Sequence, residues 1–296
     1  MKLEIQKLHT LQGHKDAIYA LHHQDKSDKF YSSGGDGLIV EWDFNSFPDG
    51  QLIAQVPNSV YSIVSENDSI YVGHNYEGIH FLNSATKKEK LNTHLGQEAI
   101  FSSLIIGDHL LIGLANGEFV VLNKHTLKTI ARETLGKNRI RKIIQHQQFV
   151  YLACSDNFIY QLDLDYKLVS KWLAHDKSVT SLVVHNNILI SVGRDAKIKF
   201  WELLEHNKLC KEIPAHNYAI NDISISPDKK YFATCSIDKT IKLWSTQNRK
   251  LLKVVDKQRH AGHGTSVNKV FWKSNDCFVS CSDDRTISVW KIKERQ

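Results

Sequence analysis

The chain has 296 residues, 42% of them apolar, and a formal net charge of +6. That length suits one large β domain or two ordinary ones, with enough apolar residues for a sizeable core. No run of about 18 apolar residues occurs, which argues against a membrane helix. The basic residues are spread along the chain, which reads mainly as solubility, with weak support for anionic partners.

From the N-terminus, LEIQKLHTL (3–11) alternates apolar and polar residues and reads as a lone strand. The alternation, with Glu4 inside it, is not the continuous apolar region of a secretory leader. KFYSSG (29–34) and LIVEW (38–42) follow as short β-type runs across a Gly- and Asp-containing turn. SIYVG (69–73), EFVVL (118–122), FVYLAC (149–154), KIKFW (197–201) and TISVW (286–290) continue the style, parted by Gly, Asn, Asp or Ser turns. No helical stripe of any length intervenes. With four prolines and no linker composition, residues 1–296 read as a single domain. Five cysteines, an odd number in a long chain, do not make a disulfide framework. Cys154, Cys235 and Cys281 fall inside predicted strands and read as small, reduced core residues. With no leader, the expectation is a cytoplasmic protein.

Two late phrases are near copies: FATCSIDKTIKLWS (232–245) and FVSCSDDRTISVWK (278–291). Each places an Asp six residues before a Trp. Indexing the chain on that Trp gives Trp42, Leu82, Leu122, Leu162, Trp201, Trp244 and Trp290, at intervals of 40, 40, 40, 39, 43 and 46 residues. Six residues earlier stand Asp36, Tyr76, Asn116, Asp156, Asp195, Asp238 and Asp284. Three residues after each of those comes Ile39, Ile79, Phe119, Ile159, Ile198, Ile241 or Ile287, all apolar. A period of about 40–45 residues with four strands per unit is the pattern of propeller blades, and it predicts seven. The strands carry apolar residues on both faces, as a sheet packed between two neighbours requires.

These phrases resemble the WD-repeat β-propeller family over essentially the whole chain. The Trp-Asp dipeptide survives as Trp42-Asp43, with Leu162-Asp163 as a variant. The Gly-His that opens a unit appears as Gly13-His14 and Gly262-His263, with Ala174-His175 and Ala215-His216 as variants. The resemblance implies an all-β, seven-bladed propeller with four antiparallel strands per blade and the N-terminal strand closing the last blade. It also implies a hydrogen-bonded tetrad in four blades: His14, Ser32, Asp36, Trp42; His175, Ser191, Asp195, Trp201; His216, Thr234, Asp238, Trp244; and His263, Ser280, Asp284, Trp290. Four copies at equivalent positions indicate architecture, not Ser-His-Asp catalysis. The expected role of each Asp and Trp is to hold a blade's outer and inner strands in register. Units two to four lack the tetrad, and His94 is two residues out of register.

The sequence holds no Cys-x-x-Cys, His-Glu-x-x-His, Gly-x-Ser-x-Gly or phosphate-loop motif. His260 and His263 stand close enough to share a metal, but His263 is assigned to a tetrad, so no metal and no cofactor is expected. Cys277 and Cys281 lie about 13 Å apart along one strand, too far for a bridge.

In the family, partners contact the top face at residues flanking the start of each innermost strand. Here the anchors are Ile18, Val60, Ile100, Ile140, Val179, Ile220 and Val267. The flanking residues put Tyr19, Tyr61 and Phe101 side by side on blades one to three, then Arg139 and Arg141 on blade four, with Asn221 and Asn268 further round. Arg194 takes a further family contact position. Aromatics and Arg are enriched at binding hot spots. The expectation is a non-catalytic interaction scaffold, a monomer or a subunit of a larger complex. Its partner would be a protein or peptide with an apolar and an acidic segment. The alternative is a propeller associated with RNA or chromatin through KNRIRK (137–142). A metal-dependent propeller hydrolase or lactonase is a third class, separable by metal content. No membrane partner is expected, and the long segment 255–266 is placed to reach over the top face.

Overall fold

The structure, a computed structural model, describes residues 2–24, 27–204 and 207–295. Among them the strands form seven separate four-stranded antiparallel sheets, with one short helix, Lys257–His260. Blade one is Ile18–His23, Lys29–Gly34, Leu38–Asp43 and Gly50–Gln55, and blades two to six repeat that order. The first strand of each blade touches the first strands of both neighbours, in a cycle that closes between Ile18–His23 and Val267–Ser274. The first strands therefore line a central channel, and the fourth strands form the rim.

Packing follows from that layout. The third strands are buried on both faces, as in Leu38–Asp43 and Glu118–Asn123. The fourth strands are mostly exposed and polar, as in Lys88–His94 and Thr129–Thr134. The apolar clusters lie between blades: Phe119 and Val121 of blade three pack with Ile140, Ile143 and Leu152 of blade four. Each blade is thus one wall of two wedges of core.

Blade seven is closed as the repeat requires. Its sheet runs Lys2–Leu11, Ile287–Arg295, Cys277–Ser282 and Val267–Ser274. Leu3 pairs with Glu294 and Leu11 with Ile287. Leu11 is fully buried against Ile18, Phe30 and Trp42 of blade one, while Leu8 on the same strand faces outward. The predicted core thiols of Cys154, Cys235 and Cys281 are buried. The segment 255–266 departs from expectation. Asp256 caps the short helix by accepting from the Arg259 amide at 2.8 Å, and the helix touches the rim strand Lys2–Leu11 rather than covering the mouth.

If the closing strand holds the ring by its inward face, Leu11→Ala lowers the unfolding free energy by about 2–5 kcal/mol. Leu8→Ala then stays within about 0.5 kcal/mol of wild type. Urea denaturation of both variants checks this, and equal losses would refute it.

Candidate functional site

All four predicted tetrads form. In blade one the Trp42 indole N–H donates to Ser32 Oγ at 2.7 Å, and Ser32 lies 2.7 Å from His14 Nε2. His14 Nδ1 reaches the Asp36 carboxylate at 3.0 Å. The corresponding Trp-to-hydroxyl, hydroxyl-to-His and His-to-Asp distances are 2.9, 2.8 and 2.9 Å in blade five. They are 2.9, 2.8 and 2.8 Å in blade six and 2.9, 2.9 and 3.0 Å in blade seven. Only one proton arrangement satisfies every member: Trp N–H to hydroxyl, hydroxyl to Nε2, Nδ1–H to carboxylate.

The residues joined differ from the sequence expectation. The Ser or Thr lies on the second strand and the Trp on the third, while the His sits in the connection arriving from the previous blade. The outermost strand takes no part, so the tetrad fastens an inter-blade connection to a blade's middle. The Asp is the hub. Its other bonds go to the amide two residues on, as Asp36 to Leu38, and to the amide after the His, as Asp36 to Lys15. The residue after the turn Asp or Asn has positive φ in six blades: Gly37, Gly117, Asn157, Ala196, Lys239 and Arg285. That conformation disfavours most side chains, and the carboxylate-fixed turn imposes it.

Blades two to four lose the Trp, the hydroxyl and the His of the network. Val72, Ile112 and Leu152 stand at the hydroxyl position and Leu82, Leu122 and Leu162 at the Trp position, all buried. In blade four Gly136 takes the His place, and the Tyr160 hydroxyl donates to Asp156 at 2.6 Å in its stead. Blade two departs further. Tyr76 itself takes φ +73°, and the turn gathers His74, Glu77 and His80. Sequence reasoning passed over these three. Their even spacing of three residues around a unit lacking its turn Asp was the available signal. The His260–His263 pair is no such group, because both His263 ring nitrogens are engaged in its tetrad.

At the channel mouth each first strand carries a bulge directly after its anchor. The strand pairing skips Tyr19, Tyr61, Phe101, Arg141, Thr180, Asn221 and Asn268. A bulge re-aims the extra side chain, and these seven residues line one depression with Lys269. The carbonyl before each anchor is also fixed, accepting an amide from the turn between second and third strands, as Ala17 from Gly35 and Arg139 from Ser155.

The mouth is not uniform. Tyr19 and Tyr61 have ring centroids 4.9 Å apart, as do Tyr61 and Phe101, the latter pair stacked. The Arg139 and Arg141 guanidinium carbons lie 5.2 and 5.4 Å from the Phe101 ring centre, within cation–π range. Arg141 Nε donates to Ser155 Oγ at 2.8 Å. Burial, and after it the charges of Arg139 and Arg194, push Arg141 down to about 10, so it stays cationic at neutral pH. Among the described residues no carboxylate lies within ion-pair distance of Arg139, Arg141 or Arg194. Arg194 lines a neighbouring cleft with Tyr218 and Ile237, near enough for its charge to act on Arg141. Asn221 and Asn268 are at the mouth, but their amide groups are used between blades. Asn221 Nδ2 donates to Val267 O at 2.9 Å, and Asn268 Nδ2 to Ile18 O at 2.9 Å and Asp283 at 2.7 Å. Deeper in the channel, Asp222 accepts from Ser181 at 2.7 Å and lies 3.9 Å from Lys269.

The family profile described as "WD domain, G-beta repeat" (WD40) matches residues 5–43, 166–202, 207–245 and 255–291, just over half of the chain. This chain belongs to the WD40 family. The four matched stretches are those that carry the four tetrads. A solved crystal structure of the WD40 β-propeller domain of Doa1 superimposes with a TM-score of 0.85, over 99% of this chain and 98% of that one, at 18% identity. Human striatin-4 is 27% identical over 246 residues, 80% of this chain and 29% of that protein. Striatin of Rattus norvegicus is 24% identical over 282 residues, 82% of this chain and 35% of the relative. Protein HIR1 of Gibberella zeae is 37% identical over 82 residues, 27% of this chain and 8% of the relative. The similarity thus spans a minor part of each of these relatives. No helix among the described residues is long and apolar enough to cross a membrane.

The tetrads make stability depend on pH. Burial holds His14 and His216 below the usual value of about 6.5. Their unfolded forms take up protons first, so this contribution is complete above about pH 6.5 and is lost as pH falls. For Asp238 and Asp284 burial acts upward, but the hydrogen bonds and charge of His216 and His263 outweigh it and leave both carboxyls below the ordinary range. Their contribution is present above about pH 4 and is lost on further acidification. The expected melting temperature is level near pH 7–8, falls below about pH 6.5, and falls again below about pH 4. A rise between pH 7 and 5 would contradict this. Ser280→Ala, which leaves the Trp290 and His263 nitrogens unpaired, should cost about 2–3 kcal/mol by denaturant melts.

Proposed function

We propose that this WD40 protein is a non-catalytic interaction scaffold, with residues 1–296 acting as one propeller domain, that binds an extended protein segment across the channel mouth. The observation that carries the reading is the continuous row Tyr19, Tyr61, Phe101 ending in two arginines that share one ring. An apolar stretch of the partner lies along the aromatic rings, and an acidic stretch meets Arg139 and Arg141. Arg can hold a carboxylate by two parallel hydrogen bonds. Among the described residues these three guanidiniums have no carboxylate partner, which leaves positive charge for a ligand to neutralise. Arg194 extends that charge beyond the mouth. Asn221 and Asn268 serve the ring rather than the ligand, because their donors are already used. The buried thiols of Cys154, Cys235 and Cys281 fit a reducing compartment, the cytoplasm.

Tyr61→Ala and Arg139→Glu are the separating variants, since Arg139 is exposed and Tyr61 half-buried. Partners are captured from native extract with wild type and each variant, and the protein lost from both is titrated as a purified segment. The expected loss is at least about 30-fold in affinity for each, with melting temperatures unchanged. Capture and affinity unchanged in both variants would reject the mouth as the site. Recovery of RNA or DNA that washes off with salt would favour the nucleic-acid reading.

A further inference from the structure

We propose that blade two holds a single divalent transition-metal ion through His74, Glu77 and His80, with Glu89 orienting the His80 ring. His74 ends the strand Ser69–His74, Glu77 lies in the following turn, and His80 is on the strand Gly78–Asn83. The turn is built for close approach: Gly78 has φ +138°, and a side chain there would run into the Thr93 carbonyl.

The hydrogen bonds fix where the ring protons lie. His74 Nδ1 is 2.9 Å from the Asn75 carbonyl oxygen, which can only accept, so Nδ1 carries the hydrogen. His80 Nδ1 is 2.7 Å from Glu89 Oε1, again an acceptor. Asn92 Nδ2 donates to the same oxygen at 3.0 Å and holds it in place. In both neutral rings the lone pair is therefore on Nε2. Those two nitrogens face each other at 2.6 Å. Glu77 Oε2 joins them at 3.2 Å from His74 and 3.6 Å from His80. With both rings neutral, three electron-pair donors converge, an arrangement relieved by a cation among them, either a metal ion or a proton on one Nε2.

The donor set suits a first-row ion. Two imidazoles and a carboxylate bind zinc and its neighbours, and a second carboxylate on the far ring nitrogen is the common way to orient a ligating His. His74 is fully buried, His80 is 16% exposed at its side chain and Glu77 51%, so the group opens on one side only. The opening is a small pocket walled by Asn92, Thr93 and His94. It leaves a fourth position for water or the His94 imidazole. Zinc–nitrogen bonds of about 2.0–2.1 Å in tetrahedral geometry set two nitrogens roughly 3.3 Å apart, so loading parts the rings by about 0.7 Å. The ion would bind the turn and third strand of blade two together, with Glu89 tying in the fourth. Blade two lacks a tetrad to do this.

The test uses the full chain, free of affinity tag and stripped with chelator. Zn2+ is titrated against a chromophoric competitor, and Co2+ is followed by visible absorption. The expected result is one ion per chain, with Glu77→Gln and Glu89→Gln each weakening it about 10–100-fold and His80→Asn abolishing the cobalt spectrum. Glu77 and Glu89 are substantially exposed, so their variants should fold even if His80→Asn does not. Less than one ion per chain at micromolar Zn2+ would overturn the proposal. So would stoichiometric binding indifferent to both Glu variants, or a proton shared between the two rings that Zn2+ does not displace.

Discussion

Four of the seven blades rest on one directed chain of hydrogen bonds, from Trp to hydroxyl to imidazole to carboxylate. The Trp-to-hydroxyl and hydroxyl-to-imidazole links are buried, so each must be paired or absent. The carboxylate at its end does more than accept one proton. It also receives two backbone amides, which sets the turn, the entry of the next strand and the start of the channel wall. The polar chain and the β-bulged mouth are therefore consecutive parts of one construction. Blades one, five, six and seven keep the whole chain of bonds. Blades two to four discard the Trp, the hydroxyl and the His together, with Val72, Ile112 and Leu152 in place of the hydroxyl and leucines in place of the Trp, although blade four keeps Asp156. Intermediate states, a Trp without its hydroxyl or a hydroxyl without its His, do not occur in any of the seven.

That exchange divides the molecule into two arcs. The tetrad-bearing arc is held by polar bonds, and its mouth residues, Thr180, Asn221 and Asn268, are spent on neighbouring carbonyls. Thr180 Oγ1 donates to Ile220 O at 2.6 Å, continuing the series. The other arc carries most of the aromatic row, the paired arginines and the His-Glu-His group. Those blades are joined by apolar packing and by bonds below the mouth such as Ser62 to Ser103 at 2.6 Å, so the mouth side chains are left freer. Tyr19, on blade one, joins the two arcs.

The blade count, the closing strand and the four tetrads were all legible in the chain, because periodicity records which residues must be buried together. The aromatic row was legible too, through its offset from each anchor. The bulges were not. Nothing in the residue types Tyr, Phe, Arg, Thr and Asn signals an extra residue. The roles of Asn221 and Asn268 were missed for a related reason: their acceptors lie on the following blade, 46 or 250 residues away in the chain. His74 and His80 were hidden because the repeat assigns their positions to Gly34 and Val40 in blade one, where no chemistry is expected.

Strand Lys2–Leu11 pairs with Ile287–Arg295, so a strand made early waits for one made nearly the whole chain later. Joining them closes a very long loop, whose entropic cost grows only slowly with length, but whose search is slow. Until then the third strand of blade seven has an unpaired edge, and the early strand, with Leu3 and Leu11 uncovered, is a mobile sticky end. Intermolecular pairing competes at that stage. The growing chain would therefore need low concentration or an escort in its final seconds of folding more than in all the preceding ones. The same pairing then turns an open arc into a ring that cannot unwind blade by blade from either end.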